Sequence, residues 1–245
     1  MKTRRAGPAT GLARALSKLG YCSRSEAWEL VKAGRATLNG RVQRDPETRV
    51  NLGRDQIAVD GRPVGAAEKA YLMLNKPRGL VTTASDEQGR DTVFQCFTGQ
   101  NLPRLSAVGR LDMASEGLLL FTNDNAWAAR ITAPERRLEK TYHVQINRVA
   151  DDALAAQLSK GIQDEGDWLA AKRASVLRTG EKNSWLEIVL DEGKNRHIRR
   201  LLGALEIEVL RLVRVAIGPL PLGDLPKGKW RALTQEEIRL LGGVE

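Results

Sequence analysis

Asp112 is the residue of this chain best placed to do chemistry. It follows Gly109-Arg110-Leu111 in a short polar segment, and the apolar run Leu118-Leu119-Leu120-Phe121 begins directly after Gly117. That pattern predicts a turn closing at Gly117 and a buried strand behind it. A carboxylate at the mouth of a buried strand, with Arg110 two residues away, can stay ionised where water is scarce. An ionised, poorly solvated aspartate is what a nucleophile or general base requires. The same spacing also suits an ordinary turn aspartate bonded to its own backbone.

Two other stretches carry reactive groups. Glu139-Lys140-Thr141-Tyr142 opens an alternating segment, so Lys140 and Tyr142 share one face of a predicted strand. A strand tyrosine is most often a packing residue. In Gly193-Lys194-Asn195-Arg196-His197-Ile198-Arg199-Arg200, five of eight residues are basic when His197 is counted. Charge packed this densely is either a solvated face or a surface that meets an anion. Glu116 is the acid nearest Asp112 that could complete the carboxylate pair of a glycoside hydrolase. Walker, HExxH and GxSxG motifs are absent. His143, His197, Cys22 and Cys96 lack metal-ligand spacing, and the two cysteines suit a reducing cytoplasm.

The elements that must position these groups follow from periodicity. Strands are predicted at Ala70–Leu74, Gly79–Thr83, Tyr142–Ile146, Trp185–Leu190 and Glu208–Leu212, and helices at Asn125–Ile131, Ala150–Lys160 and Asn195–Ala204. Strands and helices interleave without a Gly-rich dinucleotide turn, which favours an α+β fold over a doubly wound one. The chain has 245 residues, 42% of them hydrophobic, enough for two modest domains. No apolar run approaches the length of a membrane span.

Charge divides the chain unevenly. Residues 1–66 hold 13 Lys and Arg against 6 Asp and Glu, whereas the remainder hold 26 against 24. With a net charge of +9 overall, this asymmetry predicts a small polyanion-binding module ahead of a larger body. Residues 1–11 read as a disordered basic arm with no apolar stretch of a secretory signal. Leu12, Leu16 and Leu19 recur at helical spacing, and Gly20 ends that helix. Ser23-Arg24-Ser25-Glu26 has the form of a capping box, opening a second helix that Gly34 stops. Asn39-Gly40 and Asp60-Gly61 are hairpin signals. The Gly65–Lys69 segment is a short linker, placing domains at 12–66 and 70–245.

The run GRLDMASEGLLLFTND resembles the active-site motif of the bacterial pseudouridine synthases of the RsuA family, which modify ribosomal RNA. LNKPRGLVTT resembles that family's opening motif, GKNRHIRR its third motif, and the segments around Leu212–Leu220 and Gly228–Leu233 its closing strands. The stretch Leu12–Val64 resembles the RNA-binding domain of ribosomal protein S4. The resemblance runs from about Leu12 to Leu241 and implies a catalytic domain with a mainly antiparallel sheet flanked by helices.

It also implies roles by position. Asp112 is the catalytic residue, Tyr142 stacks on the target base, and Arg199 pairs with the aspartate. Ile198 packs beneath the base, Arg110 and Lys140 handle substrate, and Lys194 and Arg196 hold phosphates. On the small module, Arg14, Lys18, Arg24 and Lys32 contact RNA, with the helix start at Ser23-Arg24 adding its backbone N–H groups. His197 stands where glutamine is commoner in the family, which leaves the base contacts open. The implied reaction isomerises a uridine of rRNA, with 23S favoured. The same reaction on 16S rRNA and a non-catalytic assembly factor are the alternatives. No cofactor, no metal, no membrane, a ribosomal RNA or assembly-intermediate partner, a monomer and a cytoplasmic setting are expected.

Overall fold

A computed structural model describes residues 9–65 and 67–242. It divides into two compact units, Met1–Ala70 with Asn101–Leu105 and Asn123–Asn125, and Tyr71–Gln100 with Ser106–Thr122 and Ala126–Glu245.

In the small unit, helices Leu12–Lys18 and Arg24–Lys32 lie with a four-stranded antiparallel sheet. Leu12, Leu16, Ala27 and Val31 are fully buried against Ala36, Val50 and Val59. The predicted capping box is present: Glu26 N–H donates to Ser23 Oγ, and Ser23 N–H donates to the Glu26 carboxylate at 2.8 Å. Both hairpin turns form, with Asn39 and Asp60 each at φ 51° ahead of a glycine, the left-handed pair that a two-residue turn demands. Part of the expected arm belongs to the fold. Residues 1–8 lie outside the described residues, but Thr10 and Gly11 are buried and pair with Val50 and Arg49. A Cβ on Gly11 would meet the Glu47 carboxylate at 2.8 Å, so glycine lets the chain enter there.

The large unit is built on a nine-stranded sheet. Its order is Arg173–Thr179, Ser184–Leu190, Lys140–Ile146, Val209–Ile217, Glu116–Thr122, Tyr71–Lys76 and Trp230–Ala232, with Leu220–Pro221 and Ser106–Val108 attached. One pairing is parallel, Val213 with Glu116 and Arg214 with Gly117; the others are antiparallel. Helices Asp152–Lys160 and His197–Gly203 bury Leu154, Leu158, Leu201 and Leu202 against Val144, Leu186 and Ile188. Helices Asn125–Thr132 and Gln235–Gly242 pack Trp127, Ile131 and Leu241 against Met73, Leu118 and Leu120. The α+β architecture is therefore as expected from the sequence. Among the described residues no helix is long and apolar enough to cross a membrane.

Several predicted elements differ, three of them around the site. The strand behind Asp112 starts at Glu116, so Gly117 lies inside it. Gly79–Thr83 is not a strand: Gly79 turns the chain at φ +97°, and its N–H goes to the Met113 carbonyl at 2.8 Å instead of to a ladder. The last predicted helix begins at His197, because Arg196 takes a left-handed conformation at φ 48° and leaves Asn195 outside.

Candidate active site

Asp112 is exposed in the loop between Val108 and Glu116. Its carboxylate has no salt-bridge partner within 4.0 Å among the described residues. The loop around it is tightly held. Ser115 N–H donates to the Asp112 carbonyl at 2.9 Å, closing a turn over 112–115. Thr82 Oγ1 donates to the Leu111 carbonyl at 2.7 Å and accepts from Leu111 N–H at 3.3 Å. The Arg199 guanidinium donates to the Ala114 carbonyl and to the Val209 carbonyl, both at 3.3 Å.

Lys76 is the central fastener, and sequence reasoning missed it. Its side chain is fully buried. The ammonium donates to the carbonyls of Ser115 at 2.8 Å, Pro77 at 3.1 Å, Asp112 at 3.2 Å and Met113 at 3.5 Å. Burial lowers the Lys76 pKa to about 8, although the Asp112 and Glu116 charges pull the other way. The available signal is a lysine at the end of an apolar strand, directly before Pro77.

Gly117 lets two strands meet beneath this loop. It sits at φ +102° between Lys76 on one neighbour and Arg214 on the other. A Cβ there would lie 2.2 Å from the Arg214 carbonyl oxygen. Arg214 is itself buried, with Nε donating to the Leu118 carbonyl at 2.7 Å.

An open cleft of about 520 Å³ faces the loop. Asp112, Arg110, Met113, Thr82, Gln88 and Asn195 are among its lining residues. Arg110 is exposed on this lining and makes no salt bridge to Asp112. The tie between Arg199 and Asp112 is less direct than expected. Burial, then the Arg196 charge, lowers the Arg199 pKa, and the Asp112 charge raises it, but the guanidinium is bonded to the loop backbone. Tyr142 is half-buried, packed against the core beside Val144, with Arg214 and Ile188 as its cross-strand partners. Lys140 lies two residues away on the same strand; burial first, then Arg214, lowers its pKa.

Two cations of the basic run, Arg200 and Lys194, meet carboxylates of the large unit. Arg200 bonds Asp164 at 2.7 Å and Asp167 at 2.8 Å. Lys194 donates to the Trp168 carbonyl at 2.5 Å and pairs with Glu192 at 3.3 Å, so it braces the Ile162–Leu169 hairpin. His197 and Ile198 are buried, whereas Arg196 is exposed. On the small unit Arg14, Lys18, Arg24 and Lys32 are all exposed. At the start of the second helix the capping box takes up the Ser23 and Glu26 N–H groups and uses neither the Arg24 nor the Ser25 N–H. Glu116 is no second catalytic carboxylate. It is buried and paired with both Arg211 and Lys227. Burial alone would raise its pKa, but those hydrogen bonds overcome it and hold the carboxyl below its ordinary value.

Residues 10–57 match the S4 domain family, and residues 70–204 match the RNA pseudouridylate synthase family. Fold and site together thus define an isomerase carrying an S4 module. Relatives extend along nearly the whole chain. An uncharacterized RNA pseudouridine synthase of Aquifex aeolicus (strain VF5) is 38% identical over 228 residues, 92% of this chain and 91% of that protein. Ribosomal large subunit pseudouridine synthase B of Bacillus subtilis (strain 168) is 35% identical over 94% of each chain. The protein of the same name from Shigella flexneri is 38% identical over 94% of this chain and 81% of its own length. A crystal structure of a pseudouridylate synthase superposes with a TM-score of 0.66 at 29% identity, covering 95% of this chain and 99% of that one. The chain belongs to the RNA pseudouridylate synthase family.

Proposed function

We propose that this protein converts one uridine of large-subunit ribosomal RNA to pseudouridine, with Asp112 starting the reaction. One observation carries the assignment: an exposed, unpaired carboxylate on a cleft wall whose backbone is fastened by Lys76, Thr82 and Arg199. Fixing the backbone while leaving the carboxylate free is what a reacting group needs, since small displacements of a reacting group cost rate heavily. The similarity to two enzymes named for the ribosomal large subunit supports the choice of RNA.

The reaction is balanced within one nucleoside. The C1′–N1 bond breaks, a C1′–C5 bond forms, and the proton on C5 is lost as N1 gains one, so no co-reactant enters. The uridine leaves its stack to reach Asp112, at a cost of a few kcal/mol. Asp112 attacks the ribose or removes a proton from it. Arg110, exposed on the cleft, contacts the displaced backbone or fills the vacated space. Tyr142 offers a stacking face, Ile198 supports it from the core, and Arg199 keeps the loop and its charge in place. Arg196 holds phosphate. The small unit delivers RNA through Arg14, Lys18, Arg24 and Lys32. The protein acts as a monomer in the cytoplasm, where ribosomes are assembled.

The test is pseudouridine mapping on 23S and 16S rRNA transcripts treated with wild type and Asp112→Asn. Wild type is expected to modify one 23S uridine, and the variant to bind RNA but leave that uridine intact. Turnover by the variant at the wild-type rate removes Asp112 from the chemistry. Modification confined to 16S rRNA overturns the choice of subunit.

A further inference from the structure

The Arg24–Lys32 helix carries a feature that phosphate binding does not require. Trp28 projects from it with 41% of its surface exposed, although Ala27 and Val31 beside it are fully buried. Tyr21, just ahead of the helix, is 42% exposed. Arg24, Trp28 and Lys32 are spaced by four residues, so they form one ridge along the helix surface. The Lys32 ammonium lies 5.8 Å from the centre of the Trp28 ring. Neither Arg24 nor Lys32 has a salt-bridge partner among the described residues, whereas Arg35 of the same unit is paired with Asp60 at 2.5 Å.

From this ridge we infer that Trp28 is a stacking platform for one unpaired RNA base, with Arg24 and Lys32 holding the phosphates on either side. The inference rests on the reading that the small unit binds RNA. The backbone positions of Arg24 and Lys32 lie about 12 Å apart along the helix axis, a span that brackets a nucleotide lying on the indole between them. The capping box takes up the Ser23 and Glu26 N–H groups, and the Arg24 and Lys32 side chains supply the charge that meets the phosphates. A flat aromatic surface takes any base, but only one whose faces are free. Bases inside an A-form duplex are stacked on both sides and cannot reach it. The unit therefore distinguishes a loop or bulge from a continuous helix without reading sequence. That preference suits an enzyme whose target uridine must itself leave the stack.

The test uses the full chain and two RNAs, a hairpin carrying a one-nucleotide bulge and its fully paired counterpart. Trp28→Ala is expected to weaken binding of the bulged hairpin by about 5- to 150-fold, the range of one lost base–aromatic stack. Its affinity for the paired hairpin and the slope of log affinity against log salt should stay unchanged, because stacking releases no counterions. Trp28→Phe should recover most of the loss. Arg24→Ala and Lys32→Ala should weaken binding of both RNAs and make the salt slope shallower by about one each. Equal affinities of wild type and Trp28→Ala for the bulged hairpin, or equal losses on both RNAs, overturn the stacking platform. If the two basic-residue variants also bind both RNAs as wild type does, RNA binding by this unit falls as well.

Discussion

Replacing Lys76 by methionine separates the holding of Asp112 from its chemistry. The substitution keeps an unbranched chain as far as Cε and removes the ammonium. Of the four carbonyls it serves, two keep another donor: Asp112 accepts from Ser115 N–H at 2.9 Å and Met113 from Gly79 N–H at 2.8 Å. The Ser115 and Pro77 carbonyls, at 2.8 and 3.1 Å, have Lys76 as their donor. The orphaned Ser115 carbonyl is buried and costs about 1–3 kcal/mol, with a smaller loss at the half-buried Pro77, less the relief of no longer burying a charge. Much of it falls locally on residues 112–115. A reacting group displaced by about 1 Å loses roughly 100-fold in rate, so kcat is expected to fall about that far with a smaller change in KM.

The pH dependence gives a second readout. With the folded pKa at about 8 against an ordinary 10.5, the unfolded chain binds more protons between those values. Stability contributed by this group therefore rises with pH from about 8 to 10.5. Activity should move the opposite way, because the neutral amine holds the loop carbonyls less well. Single-turnover rates and melting curves of wild type and Lys76→Met across pH 7 to about 10 check both. A variant kcat within about twofold of wild type, or identical pH profiles for the two proteins, would falsify the proposed fastening role.

Gly117→Ala should be far more disruptive than a surface glycine change. Its Cβ would meet the Arg214 backbone, and the left-handed φ adds strain, for a loss above about 4 kcal/mol. A melting temperature within about 2 °C of wild type would show that the strands can separate without cost. The basic run should split by function. Arg200→Ala removes two ion pairs to the Ile162–Leu169 hairpin and should lower stability by about 1–3 kcal/mol with little change in the RNA salt slope. Arg196→Ala should leave the melting temperature in place and make that slope shallower by about one. The reverse assignment from melting and salt titration would refute the division.

What was legible in the sequence was what local physics settles. The Ser23–Glu26 capping box and the Asn39-Gly40 and Asp60-Gly61 turns involve residues within four positions of one another, and they formed as written. The apolar periods placed the main strands and helices of the large unit to within a few residues, and Asp112 stood out because a polar turn met an apolar run. Boundaries failed where a distant partner took the backbone groups, as at Gly79, whose N–H serves Met113.

The site's support came only with the tertiary structure. Local sequence places Arg110 beside Asp112, but packing brings Lys76, Thr82 and Arg199 to the loop from three other segments. Charge density in the 194–200 run could not reveal that Asp164 and Asp167 cancel Arg200, because those acids arrive on a separate hairpin. Nor could Glu116 be told from a catalytic acid until Arg211 and Lys227, each about a hundred residues away or more, were seen to hold it. Sequence determines which groups are present and how each short stretch bends. Which charges meet, and so which remain free to react, is decided by burial and long-range pairing.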